Sequence, residues 1–205
     1  MLKIVILASG SGSNAEAIIR YSQEYQTFQV TAVVSDNPNA LVLLKVKNLN
    51  CDTHCFPIEN NEKSQAYNLR LLQFIKDLSP DFVFLAGYMR ILSSDFLSYF
   101  YDPRLKKNKV VNIHPSLLPL YPGKNSYERA FEAHEKISGC TVHYVDEGID
   151  TGEIIFQKSF IRYPEDSLEE FKARGLKIEN EIYPVVVEKI LNDYEKLQKE
   201  IVGDK

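Results

Sequence analysis

No run of this sequence approaches the roughly 18 consecutive apolar residues that a membrane-spanning helix requires. The opening stretch MLKIVILA is too short for the apolar core of a signal peptide followed by a cleavage site. It reads instead as a first strand entering a glycine loop, and a soluble, cytoplasmic protein is expected. Cysteine is scarce: Cys51, Cys55 and Cys140 are an odd number without disulfide-framework spacing, which suits a reducing compartment. Cys51, His54 and Cys55 lie close together but lack four ligands at finger-like spacing, so no metal is expected. Positive charge is also in deficit, with 24 Lys and Arg against 28 Asp and Glu, a net charge of −4. Nucleic-acid binders display a concentrated basic stripe. Here the one basic cluster, Lys106-Lys107-Asn108-Lys109, reads as a solvated loop before a strand. Neither nucleic acid nor membrane is an expected partner.

With nine Gly, nine Pro and no low-complexity run or repeat, there is little room for a long linker. The 205 residues, 44% hydrophobic, suit one compact domain with an ordinary core. Apolar β-rich runs at 2–8, 30–35, 53–56, 81–86, 109–114, 140–145 and 153–161 alternate with helical patterns. The helices are predicted at 14–25, 40–49, 63–78, 93–100, 126–135 and 167–191. That alternation predicts an α/β, Rossmann-like fold, a mainly parallel twisted sheet of about seven strands with helices on both faces. The short Gly-rich link between the last two strands leaves no room for a crossover helix, so they are expected to pair antiparallel. Ser167-Leu168-Glu169-Glu170 is a capping box opening the last helix, Pro184 predicts a kink or break near Tyr183, and the last dozen residues are expected to be a loose charged tail.

The most informative stretch is NIHPSLLP, beginning at Asn112. In a strand, side chains alternate faces, so Asn112 and His114 point one way while Val111 and Ile113 point the other, into packing. An amide beside an imidazole at a strand end suits oxyanion stabilisation and proton movement in acyl-group chemistry. A histidine there is equally a common structural residue. A second segment, Asp146-Glu147-Gly148-Ile149-Asp150-Thr151-Gly152, supplies three carboxylates between glycines, any of which can face the imidazole.

Ser9-Gly10-Ser11-Gly12-Ser13-Asn14-Ala15 follows the first strand and precedes a helix. Such glycines let backbone N–H groups approach an anion that the helix N-terminus also favours, so the loop reads as a phosphate site. Ser13 and Asn14 add donors, or simply cap the helix. Gly10, Gly12 and Ala15, with Asp36 at the end of the second strand, also fit the dinucleotide fingerprint of an NAD(P)-dependent oxidoreductase. The loop by itself does not separate the two.

Five segments taken together resemble the phosphoribosylglycinamide formyltransferases over most of the chain: ASGSGSN at 8–14, LAGYMRIL at 85–92, NIHPSLLPLYPG at 112–123, TVHYVDEGIDTG at 141–152 and EIYP at 181–184. NIHPSLLP marks the wider folate-dependent formyltransferase group, deformylases and methionyl-tRNA formyltransferases included; the SGSGSN loop and the short single domain select the purine-biosynthesis branch. The resemblance implies formyl transfer from 10-formyltetrahydrofolate to the amine of glycinamide ribonucleotide, without a metal or a covalent enzyme intermediate. It implies a catalytic set of Asn112, His114 and Asp150. It places the ribonucleotide on Gly12, Ser13, Asn14, Asn125 and Glu179, and the folate against Met89, Arg90, Ile91, Leu92, Val145, Asp146 and Asp150. On this reading 1–205 is one formyltransferase domain, with a phosphate-binding part over about 1–100 and a catalytic and folate-binding part over about 101–190. Partners are small-molecule substrates, and the chain is a monomer or homodimer.

Some positions depart from the family pattern. Glu153 stands where proline is common, Ser64-Gln65 lacks a basic residue that meets the folate tail, Leu176 replaces a residue often polar beside the phosphate, and Lys124-Asn125-Ser126 replaces a more histidine-rich loop. His143 is expected to be structural or to act behind the catalytic residues, and His54 and His134 are ordinary. An oxidoreductase leaves NIHPSLLP without a role, and a non-catalytic binding module needs a lost catalytic residue where none is lost.

Overall fold

The computed structural model describes the backbone of residues 1–203 and the side chains of residues 1–200. The strands are β1 (Lys3–Leu7), β2 (Gln29–Ser35), β3 (Thr53–Cys55), β4 (Phe82–Leu85), β5 (Tyr101–Asp102), β6 (Lys107–Asn108), β7 (Val110–His114), β8 (Ile137–Tyr144) and β9 (Ile154–Ile161). The helices are α1 (Ser13–Tyr25), α2 (Leu41–Lys47), α3 (Ser64–Leu78), α4 (Ser94–Tyr99), α5 (Ser126–Glu132) and α6 (Leu168–Gly203). Seven strands form one sheet in the order β3-β2-β1-β4-β7-β8-β9. The first five are parallel, while β8 runs antiparallel to β7 and β9 antiparallel to β8. The α/β sheet and the antiparallel final pair match the pattern read from the sequence.

Alternation along the strands sorts the core into two layers. Ile4, Ile6, Phe82, Phe84, Val111 and Ile113 face α1, α2 and α6, where Ile18, Val42 and Val187 are buried. Val5, Leu7, Val83, Leu85 and Val110 face α3 and α4, against Leu71, Ile75 and Phe96. Each such side chain contributes roughly 1.5–3 kcal/mol on burial, which is why these strands tolerate little change of register. In β7, Val111 and Ile113 pack towards α6, so Asn112 and His114 share the opposite face.

The last helix is longer than expected. Of the kink or break expected near Tyr183 there is no break, and α6 does not stop near 191; it continues to Gly203 with the proline inside. Tyr183, Val187, Leu191 and Tyr194 form a buried stripe along it, and the Tyr183 hydroxyl donates to the carbonyl of Leu85 at 2.9 Å. A proline inside a helix costs about 3 kcal/mol, less than that stripe returns. The start of the segment expected to be loose includes Tyr194, whose hydroxyl meets Asp102 at 2.7 Å, and Asp102 also binds the Arg104 guanidinium; residues 204–205 of that segment lie outside the described residues. This anchor rests on the small β5–β6 ladder, which was not anticipated.

Candidate active site

The loops that follow β1, β4 and β7 open at the carboxyl edge of the sheet, beside the β1–β4 junction where strand order reverses. In open α/β sheets that is the place where a ligand crevice forms. A cleft of about 570 Å³ lies there, lined by residues of the 87–92 segment, the end of β7, the 123–126 loop and the 145–150 loop.

Asn112, His114 and Asp150 meet in it. His114 Nδ1 lies 3.1 Å from Asp150 Oδ2, and Asn112 Nδ2 lies 3.5 Å from Asp150 Oδ1. Asp150 adopts a left-handed backbone conformation, φ 55°, and accepts the Gly123 N–H at 2.7 Å. The partners fix the imidazole protons. His114 Nε2 faces the Tyr121 carbonyl at 2.9 Å, and a carbonyl only accepts, so Nε2 carries hydrogen. Ser126 Oγ, 3.1 Å from the same nitrogen, donates to the Gly123 carbonyl. Nδ1 is therefore the proton-exchanging position, directly against the carboxylate.

Burial pushes the His114 imidazole below its ordinary value, against the pull of the Tyr121 carbonyl and the Asp150 charge. Burial raises Asp150, but the Gly123 amide and the nearby His114 imidazole outweigh it, so its carboxyl is held below the usual carboxylate range. The carboxylate thus stays charged beside an imidazole that gives up its second proton readily.

His143, expected to be structural or to act from behind, is buried and touches the set directly. Its Nδ1 donates to the Tyr144 carbonyl at 2.9 Å, which leaves Nε2 as a lone pair 3.3 Å from Asn112 Nδ2 and 3.6 Å from Asp150 Oδ1. It sits opposite Asn112 in the β7–β8 register. That antiparallel pairing is a long-range choice with no local signal, so the sequence could not pair the two residues.

At the glycine loop, Gly12 has φ 76°, and a Cβ there would fall 2.4 Å from Val42. Glycine is required by both conformation and space. Ser13 opens α1, whose first turn has no side-chain cap. Asn14 is buried and its side-chain amide is engaged by Glu179 at 2.7 Å, so backbone N–H groups, rather than this amide, remain for an anion. Glu179 is not a solvent-facing residue of a charged helix: it is 5% exposed and its other oxygen accepts the Tyr127 hydroxyl. Asn125, φ 56°, borders the cleft just before α5.

Met89 and Ile91 line the cleft with exposed apolar side chains, Leu92 lines it while buried, and Val145 and Asp146 line it as well. Arg90 pairs with Asp36 at 2.7 Å. Ser9 Oγ donates to the other Asp36 oxygen at 2.5 Å and accepts the Met89 N–H at 2.9 Å. Asp36, the ribose-binding acid of the dinucleotide alternative, thus has both oxygens committed inside the protein. Of the departures, Glu153 pairs with Lys107 at 2.6 Å, and Leu176 is partly exposed on α6. Among the described residues, no group of three or more His, Cys, Asp and Glu is arranged to hold a metal ion, and no helix is long and apolar enough to cross a membrane.

A mainly parallel α/β sheet with an amide and an imidazole at the end of one strand, a carboxylate brought against them from a neighbouring loop, and a helix-opening glycine loop has the architecture of a group-transfer enzyme. The chain matches the formyl transferase family over residues 2–187 and belongs to it. It is 36% identical to a phosphoribosylglycinamide formyltransferase of Bacillus subtilis (strain 168), over 93% of this chain and 95% of that one. It is 35% identical to the protein of that name in Escherichia coli (strain K12), over 91% and 85%. Among solved structures, phosphoribosylglycinamide formyltransferase from Bacillus halodurans superposes with a TM-score of 0.84 at 39% identity, covering 92% of this chain and 95% of that chain.

Proposed function

We infer that this protein transfers the formyl group of 10-formyltetrahydrofolate to the amino group of glycinamide ribonucleotide, releasing tetrahydrofolate. The observation that carries the reading is the convergence of Asn112 and His114, from one face of β7, on the Asp150 carboxylate inside the cleft. The substrate amine attacks the formyl carbon, forming a C–N bond. The tetrahedral centre then collapses by breaking the bond to the folate nitrogen, which takes up a proton as the amine loses one. Negative charge gathers on the formyl oxygen meanwhile.

Each residue has a matching task. The Asn112 amide uses its two N–H groups in long contacts, 3.3 Å to His143 Nε2 and 3.5 Å to Asp150 Oδ1, and turns the one facing Asp150 to the oxyanion as it forms, a contribution that oxyanion donors make at about 3–4 kcal/mol. His114 and Asp150 carry the proton between amine and leaving nitrogen through Nδ1, directly or across one water. The loop at Gly12, Ser13 and Asn14 receives the phosphate on backbone N–H groups, Asn125 and Glu179 meet the rest of the ribonucleotide, and Met89, Arg90, Ile91, Leu92, Val145 and Asp146 border the folate. Chain 1–205 works on this reading as one formyltransferase domain on small-molecule substrates in the cytoplasm.

The test is direct. Purified protein given 10-formyltetrahydrofolate and glycinamide ribonucleotide is expected to release tetrahydrofolate and formylated product in equal amounts. Absence of that turnover overturns the reading, and hydride transfer with a nicotinamide cofactor would favour the dinucleotide alternative instead.

A further inference from the structure

The first turn of α5 lies between the cleft and the carboxylate that holds the glycine loop. Asn125 borders the cleft, Ser126 contacts His114 Nε2 at 3.1 Å, and the next residue, Tyr127, donates its hydroxyl to Glu179 Oε1 on α6. Glu179 Oε2 accepts the Asn14 amide of the glycine loop at 2.7 Å. One buried carboxylate therefore joins the helix beside the catalytic imidazole to the loop assigned to phosphate. The Oδ1 of Asn14 is buried without a protein partner among the described residues, so Glu179 alone orients that amide.

Tyr127 has a built seat. Its ring lies edge-on to Phe171, 6.0 Å between centroids, and a Cβ on Gly175 would fall 2.3 Å from its hydroxyl oxygen. Gly175 and Glu179 are four residues apart on α6 and so lie on one face, the glycine making room for the ring and the glutamate receiving the hydroxyl. An unpaired buried carboxylate is costly, and burial pushes Glu179 towards its neutral form while the Tyr127 and Asn14 contacts hold it back. With one donor on each oxygen, each retains one acceptor position. That pair suits the neighbouring hydroxyls of a ribose.

We propose that Tyr127, seated by Gly175, is a positioning residue for the ribonucleotide substrate: its hydroxyl fixes the Glu179 carboxylate between α5 and the glycine loop. The proposal rests on the formyl-transfer reading, and wild-type turnover checks that reading separately in the same assay. Tyr127→Phe keeps the ring and removes only the hydroxyl. It is expected to raise KM for glycinamide ribonucleotide about tenfold, the effect of losing one hydrogen bond to a charged group, with kcat and KM for 10-formyltetrahydrofolate within about twofold. Gly175→Ala, which displaces the hydroxyl without removing it, is expected to raise the same KM. Tyr127→Phe combined with Glu179→Gln is expected to raise KM no further than Glu179→Gln alone, since both changes break one linkage. The proposal is overturned by an unchanged ribonucleotide KM in an active Tyr127→Phe protein, by additive effects in the double variant, or by a common loss for both substrates. A Tyr127→Phe chain that does not fold also overturns it, because the hydroxyl would then serve the fold alone.

Discussion

Protons at two imidazoles divide the work of the cleft. His143 spends its donor on its neighbour's carbonyl and offers a lone pair to Asn112, whereas His114 spends its donor on Tyr121 and keeps Nδ1 for Asp150. Asp150→Asn preserves shape but removes the charge that Nδ1 works against, so kcat is expected to fall about 10²–10⁴-fold with both substrates still bound. Equilibrium binding alongside turnover checks this, and unimpaired turnover would remove Asp150 from the mechanism. His143→Ala takes away the acceptor that orients Asn112. About a tenfold loss of kcat is expected there, the worth of one oriented hydrogen bond, and a wild-type kcat would show that the amide needs no such support. Asn112, His114 and Asp150 were legible because strand alternation and family motifs point to them. Tyr127 and His143 gain their roles from partners on α6 and β7 that are distant in sequence, and no spacing rule reaches that far.

Elements were read most reliably where burial and period agree, as in β1, β4 and α3. The sequence reading ended α6 too early and allowed for a break at Pro184, where a long buried stripe keeps the helix continuous. The loop between β8 and β9 gives a similar lesson. A Cβ on Gly148 would fall 1.9 Å from Thr151 Oγ1, and one on Gly152 would fall 1.7 Å from the Tyr144 carbonyl. These glycines are there for close approach, and Asp146 ties the loop together through Thr151 and the Gly148 N–H. Gly12 combines crowding with a positive φ, so Gly12→Ala must both strain the backbone and move α2 at Val42. A loss of about 1–3 kcal/mol is expected from the strain at such a position, read as a lower urea midpoint at unchanged slope. An unaltered midpoint would mean that the loop relaxes freely.

Acid response is a property of the whole molecule. Asp102, Asp150 and Asp166 all hold their carboxyls below the usual range. For Asp102 and Asp166 the first cause is an arginine hydrogen bond, from Arg104 and Arg174 respectively, and Asp166 is lowered to about 2. Their folded values lie below the unfolded ones, so their stabilisation is fully present above about pH 4 and is lost as pH falls through the folded values. His114, lowered by burial, adds a loss that begins nearer pH 6.5, because the unfolded imidazole binds a proton that the folded one resists. The urea midpoint is expected to decline gently below pH 6.5 and steeply below pH 4, and Asp102→Asn to flatten the steep part; an unchanged slope in that variant would place the acid sensitivity elsewhere. The parallel half of the sheet was legible as alternating strands and helices, while the reversal at β8 depends on which edge a strand reaches. β7 lies between these halves, with Leu85 of β4 beside Asn112 on one side and His143 of β8 on the other. If β7 slid by a single residue, Val111 and Ile113 would enter the cleft and two polar groups would enter the core. The protein has no way to lose its site by slippage and keep its interior, so every active molecule is also a correctly threaded one, and specific activity measures the correctly folded fraction of a preparation.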